Sequence, residues 1–195
     1  LLGKYGDFEN DANADGYADG WIENWDYMNG GLAADKVVVG SKSQHIWVDL
    51  ATYHQVGLNS TLGGLLTVGN SYFFSTWMYS ALPYTIKFIY APIGNPAFGL
   101  DGDDTPNRFN KHYVSCSPLE TGIFGIFYYG TGSSGIWDIW LDGAMLVNLT
   151  RMGVLPPPLK EYFKNVPSTW ADLATASNIT AVDGKVQSGN AWLND

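Results

Sequence analysis

Chemistry-bearing residues crowd into one short stretch, Asp11-Ala-Asn-Ala-Asp-Gly-Tyr-Ala-Asp-Gly-Trp21. Side-chain oxygens recur at Asp11, Asn13, Asp15 and Asp19, and Gly16 follows the third. Alternate positions of this kind point inward around a hard cation. A glycine at that place permits the sharp turn that brings the backbone carbonyl of Tyr17 to the same centre. Oxygen donors, most of them anionic, suit Ca2+ and are poor for Zn2+, which takes nitrogen and sulfur. An EF-hand loop carries glutamate at its twelfth position; here that position is Ile22, and Glu23 falls one residue late. Gly, Asn and Asp crowd both sides and leave no flanking helices. The stretch reads as an EF-hand-like half-loop on a β scaffold, with a further ligand drawn from Glu9, Glu23 or Asp142. A solvated acidic turn is the plainer alternative.

No catalytic constellation accompanies this loop, and the chain reads as a non-enzyme. His45, His54 and His112 stand outside metal-binding spacings and outside any nucleophile context. No Gly-x-Ser-x-Gly elbow and no phosphate loop occurs. A pair of glycosidase carboxylates far apart in sequence stays open, although most acids fall in turns. Aromatic side chains offer a second chemistry, stacking against the C–H faces of sugars. Trp47 lies between His45 and Asp49 at alternate positions, opposite an apolar set. Trp77 shares its parity with Tyr79, Phe73 and Ser75. Trp47, Trp77 and Tyr79 are the candidate ligand-binding residues, with core packing the alternative for each.

Composition limits the partners. The 195 residues are 46% hydrophobic and 15% charged, as in a globular chain. A net charge of -9 with no basic run argues against nucleic acid and anionic membrane surfaces. No apolar window is long enough for membrane insertion, and no signal peptide is evident. The first residues are Leu-Leu rather than Met, which reads as a piece of a longer protein. The single cysteine, Cys116, reads as a small buried residue.

The elements that must position these residues are strands. Strand patterns are expected before the acidic loop, over Trp21–Tyr27, at Val37–Val39, and over Ser43–Leu50 with Gln44, Ile46, Val48 and Leu50 on one face. Residues 51–70 read as a loop with at most a turn of strand. Tyr72–Leu82 and Tyr84–Tyr90 flank Pro83 and read as a hairpin pair. Further strands are expected over Phe109–Ser117, Gly122–Tyr129 and Ile136–Leu149. Asp101, Asp103 and Asp104 between them read as a solvated loop. The pattern predicts an all-β fold, an antiparallel β-sandwich or jelly roll over residues 1–150. Pro156-Pro157-Pro158 opens a short, partly helical C-terminal appendage or linker over 151–195, with Ser168 a suitable N-cap.

Two segments carry a resemblance. The opening Leu-Leu-Gly-Lys-Tyr-Gly-Asp-Phe-Glu-Asn, with the following Asp-Gly-Tyr-Ala-Asp-Gly-Trp, resembles the start of carbohydrate-binding-module-like jelly rolls. Trp140-Leu-Asp-Gly-Ala-Met-Leu-Val-Asn-Leu-Thr resembles their closing strand, and Tyr72-Phe-Phe-Ser-Thr-Trp a middle one. Met145-Leu-Val-Asn-Leu-Thr-Arg-Met-Gly before the prolines is similar to segments of bacteriophage and prophage tail structural proteins. The resemblance covers about residues 1–155. It implies a structural Ca2+ joining the first and last strands through Glu9 and Asp142, either shared with the Asp11–Asp19 loop or separate from it. It also implies a calcium-stabilised module of a phage tail or tail-fibre protein that recognises cell-surface saccharide, in the virion or extracellular. Contacts with other tail subunits and a homo-oligomeric full-length protein go with that reading. The alternatives are a purely structural module of a tail assembly, or an accessory binding domain of a secreted glycoside hydrolase.

Overall fold

A computed structural model describes residues 1–48, 55–82, 86–90, 98–118, 124–129 and 137–151. After a single 3-10 turn at Gly3–Gly6, strands follow in the order β1 (Trp21–Glu23), β2 (Met28–Ala33), β3 (Ser43–Val48), β4 (Gln55–Ser60) and β5 (Tyr72–Ser80). β6 (Ile86–Tyr90), β7 (Phe98–Gly99), β8 (Arg108–Cys116), β9 (Gly125–Tyr129) and β10 (Trp137–Asn148) complete the series. They form two antiparallel five-stranded sheets. Sheet A runs β1-β4-β9-β6-β7 and sheet B runs β2-β3-β10-β5-β8. The expected β-sandwich is the fold.

Period-two alternation makes the core. Ile46 and Val48, Tyr72, Phe74 and Met78, and Ile139 and Leu141 point inward from sheet B. Val56 and Leu58, and Ile126 and Tyr128, meet them from sheet A. Each such buried side chain contributes about 1.5–3 kcal/mol over its exposed state. One polar link crosses the interior, where His112 Nδ1 lies 3.2 Å from the Tyr128 hydroxyl. Cys116 faces inward and is buried, and that burial pushes its thiol up to about 12.

Several sequence expectations shift. β5 and β6 are not a hairpin: β10 and β8 occupy both flanks of β5, so the chain crosses and β6 pairs with β9. Residues 1–10 form the 3-10 turn and an irregular lead-in rather than a strand. Val37–Val39 is loop, because the Val38 and Val39 amides are taken by a side chain instead of a neighbouring strand. β4 lies within the stretch read mainly as loop. The proposed appendage and its helices, from residue 152 on, lie outside the described residues.

β10 bulges between Asp142 and Met145, where its register against β5 slips. Gly6 packs there so closely that a Cβ would collide with the Ala144 carbonyl oxygen. Gly6→Ala should therefore cost about 1–3 kcal/mol through overpacking, read as a lower midpoint in chemical denaturation. A midpoint equal to that of the wild type would show that the N-terminal turn does not hold this position in solution.

Candidate functional site

The acidic loop folds as a closed hairpin on the end of sheet B. Its neck is pinned where the Asp19 N–H donates to the Asn10 carbonyl at 2.7 Å. Gln44 secures it from β3, accepting from the Ala18 N–H and donating to the Gly16 carbonyl. Gly16 makes the sharp turn at φ 90°. The Asp11 carboxylate accepts from the amides of Asp15 and Gly16, Asp15 accepts from Tyr17 and from the Asn13 side chain, and Asp19 accepts from Ala12. These carboxylates thus order the loop's own backbone. Tyr17 is buried. That burial, with the charges of Glu23 and Asp15, raises its hydroxyl to about 12. Among the described residues no three His, Cys, Asp or Glu side chains converge on one point.

Glu9 and Asp142 meet a different segment, and they meet the same one. The side chain of Asp142 is fully buried at the bulge of β10 and accepts from the amides of Val38, Val39 and Gly143 at 2.6–2.8 Å. Glu9 accepts from the amides of Ser41 and Lys42 and from the Ser41 hydroxyl. Burial, with a contribution from Glu9's charge, pushes Asp142 up to about 6 against its three amide donors. At Glu9 burial also pushes upward, but Ser41's hydroxyl and amide, with Lys42, hold the carboxyl below the usual range. The two carboxylates repel one another, and each of their oxygens already accepts an N–H or O–H from the 38–42 loop or from Gly143.

The aromatic candidates Trp47, Trp77 and Tyr79 all lie on the outer face of sheet B. There the cross-strand register lines up Gly31, His45, Trp140, Tyr79 and Phe109 in one row. His45 stacks on Trp140 with centroids 4.0 Å apart and 5° between planes, and on Trp47 at 4.8 Å. Tyr79 meets Trp140 edge-on at 5.5 Å. The Lys36 ammonium sits 3.7 Å above the Trp140 ring, within cation–π distance, so residues 34–42 cap part of this face. The ring faces near Trp47 and Tyr79 are largely used by one another.

The outer face of sheet A is built differently, and sequence reading missed it. Residues 24–27 fold back over β4 and β9. Trp25 and Tyr27, both half-buried and packed against the core, lie nearly parallel at 10° with centroids 5.9 Å apart. Phe127 supports Trp25 edge-on at 5.7 Å and lies close over Gly57, where a Cβ would come within 2.6 Å of the ring. Amides rim this plateau: Gln55 donates to the Tyr27 hydroxyl, and Asn59 donates to the Asn24 side chain. The signal was present as Gln55-Val-Gly-Leu-Asn59, whose alternation puts two amides and a glycine on one face. Flat rings edged by amides suit a sugar chain, whose C–H faces stack and whose hydroxyls need both donors and acceptors.

No family model matches the sequence, and no curated protein does. Solved structures do match in fold. The CBM22-1 xylan-binding domain of Paenibacillus barcinonensis Xyn10C aligns with TM-score 0.53 at 15% identity, covering 73% of this chain and 91% of that one. A xylan-binding domain from CBM 22 aligns at 0.52 and 15% identity, covering 73% and 92%. The C-terminal family 22 carbohydrate-binding module of Clostridium thermocellum Xyn10B aligns at 0.51 and 16%, covering 72% and 96%. The fold is that of a carbohydrate-binding-module β-sandwich. At such identities the likeness concerns the fold, and the ligand must be argued from this chain's own residues.

A pH test isolates Asp142. Its carboxyl titrates near 6 folded and at its ordinary 3.8 unfolded, so its contribution is fully present below about pH 4 and is lost as pH rises through 6. In chelator, the stability advantage of wild type over Asp142→Asn should shrink between pH 4 and pH 7, by on the order of 2 kcal/mol. An advantage that grows over this range in denaturant titrations would show the carboxylate to be favoured ionised.

Proposed function

We propose that this chain is a non-catalytic carbohydrate-binding module whose ligand face is the outer face of sheet A. The observation that carries this reading is the half-buried Trp25–Tyr27 pair rimmed by the amides of Asn24, Gln55 and Asn59. The ligand class is a neutral linear polysaccharide, xylan being what the similar modules are named for. Isothermal titration with xylo- and cello-oligosaccharides is the test. Binding should appear for the wild type. Trp25→Ala should weaken it by at least tenfold, because an anchoring Trp in such a contact carries about 2 kcal/mol or more. No binding to either oligosaccharide, or unchanged binding by Trp25→Ala, refutes this face.

A structural Ca2+ belongs to the same proposal. Glu9 and Asp142 would hold it beside the 38–42 loop, and the Asp11–Asp19 loop, through Asp11, Asn13, Asp15, Asp19 and the Tyr17 carbonyl, would hold the same or a second ion. The ion would supply charge neutralisation between carboxylates that otherwise repel. Thermal unfolding in Ca2+ against excess chelator reads this directly: at a hundredfold excess over Kd the ion adds about 2.7 kcal/mol. Asp15→Ala should lower the midpoint more in Ca2+ than in chelator, where only its hydrogen bonds to Tyr17 and Asn13 are lost. An equal loss in both removes Asp15 from the ligand set. The setting on a phage tail or tail fibre, facing cell-surface saccharide and neighbouring subunits, is supported by the sequence resemblance of Met145–Gly153.

A further inference from the structure

We propose that the glycan face of sheet A continues around the β1 edge into a recess that takes further residues of the same neutral chain. The inference rests on the sheet A reading and adds a second part of the site, one that favours longer glycans over shorter ones. The two parts share a wall. Ile22 of β1 lies in direct register with Asn59 of β4. The Asn59 amide is the one that donates to Asn24 at the rim of the Trp25–Tyr27 pair. Val56, Leu58 and Ser60 are buried, so Gln55, Gly57, Asn59 and then Thr61 follow one another along the outer side. From Gln55 to Thr61 the strand rise gives about 20 Å, which is longer than the aromatic pair alone can cover.

The recess opens where this line ends. It has a volume of about 480 Å³, within the range of small-ligand clefts. Lys4 and Tyr5 of the N-terminal turn, Asp19 of the acidic loop, Ile22 of β1, and Thr61 and Leu62 after β4 contribute to its lining. Hydrogen bonds hold this frame. The Gly20 carbonyl accepts from the Thr61 N–H at 2.8 Å and from the Ser60 hydroxyl at 3.3 Å. That hydroxyl in turn accepts from the Leu62 N–H at 3.2 Å. The Trp21 indole donates to the Tyr5 carbonyl at 2.7 Å. The Tyr5 ring lies so near Gly20 that a Cβ there would come within 3.0 Å of it. A wall fixed before the ligand arrives avoids the ordering cost that weakens binding to mobile surfaces.

The lining mixes apolar and polar groups, as a sugar requires. Ile22 is 40% exposed, and Leu62 is partly buried against the core. Both offer apolar surface to the C–H faces of a sugar ring. Around them stand groups that accept, donate or do both. Asp19 gives one carboxylate oxygen to the Ala12 amide, and the Lys4 ammonium rests 5.2 Å from the centre of the Tyr5 ring. The hydroxyls of Tyr5 and Thr61 bond to no other described residue, and each can donate and accept. Asp15 and Asp19 outnumber Lys4 on the walls, which disfavours an acidic chain. A neutral glycan meets no such repulsion, and its hydroxyls use both kinds of partner.

Titration of the whole chain with xylotriose and xylohexaose, and with cellotriose and cellohexaose, tests the inference. In the series that binds, the hexaose should bind about tenfold more tightly than the triose or better, a gain larger than the number of binding registers alone supplies. Tyr5→Phe combined with Thr61→Val removes two hydroxyls at little change of shape, and should cut that gain by about threefold or more. In spectra of the backbone amides of the wild type, the hexaose should shift residues 20–22 and 61–62 together with 24–27. Those spectra decide the matter even where the double variant fails to fold. Equal affinity for the two lengths, an undiminished gain in the double variant, or shifts confined to 24–27 and 55–59 would each overturn the recess and leave the sheet A face standing. No binding at either length removes the sheet A face, and the recess with it.

Discussion

The buried carboxylate of Asp142 is the constraint on which the surrounding structure depends. It sits in β10, the central strand of sheet B, at the point where that strand bulges. A carboxylate there is costly unless its oxygens are satisfied. Val38 and Val39 satisfy it by giving up any strand pairing of their own, which turns residues 34–42 into a strap across the sheet. Glu9 fastens the far end of the same strap. One buried charge therefore joins the N-terminal lead-in, the strap and the closing strand, three segments far apart in sequence.

The strap divides the labour between the two faces. It carries Lys36 over Trp140 and so uses up the middle of sheet B's outer surface. The His45–Trp140–Tyr79 row beneath it is a stacked support rather than an open platform. On sheet A the Trp25 and Tyr27 rings are half-buried and edged by the amides of Asn24, Gln55 and Asn59.

The 99–107 segment shows the same economy. Its acids read as a solvated cluster, yet each has a task. Asp104 pairs with Lys87 and faces His112 at 3.4 Å, and Asp103 takes Arg108. Lys87 and Asp104 bring a charged pair to the margin of the sandwich, next to the His112–Tyr128 link between the sheets. The loop is thus tied to both sheets.

The sequence by itself determined the fold class, because side-chain alternation is local. The parity of Gln44, Ile46 and Val48, and of Tyr72, Phe74 and Met78, states which side of a strand is apolar without reference to any partner. The burial of Cys116 and the shared face of Trp77 and Tyr79 were legible for the same reason. The turn at Gly16 was legible too, since a positive φ is a property of one residue. Only the tertiary structure decided which strands pair, because both flanks of β5 were claimed by distant segments and β6 had to leave for the other sheet. It alone brought Trp25 and Tyr27 over Gln55 and Asn59, and Glu9 and Asp142 to one strap. Those contacts join residues some 30 to 130 positions apart. Periodicity says which way a side chain points, and only the packing of the two sheets says what it meets there.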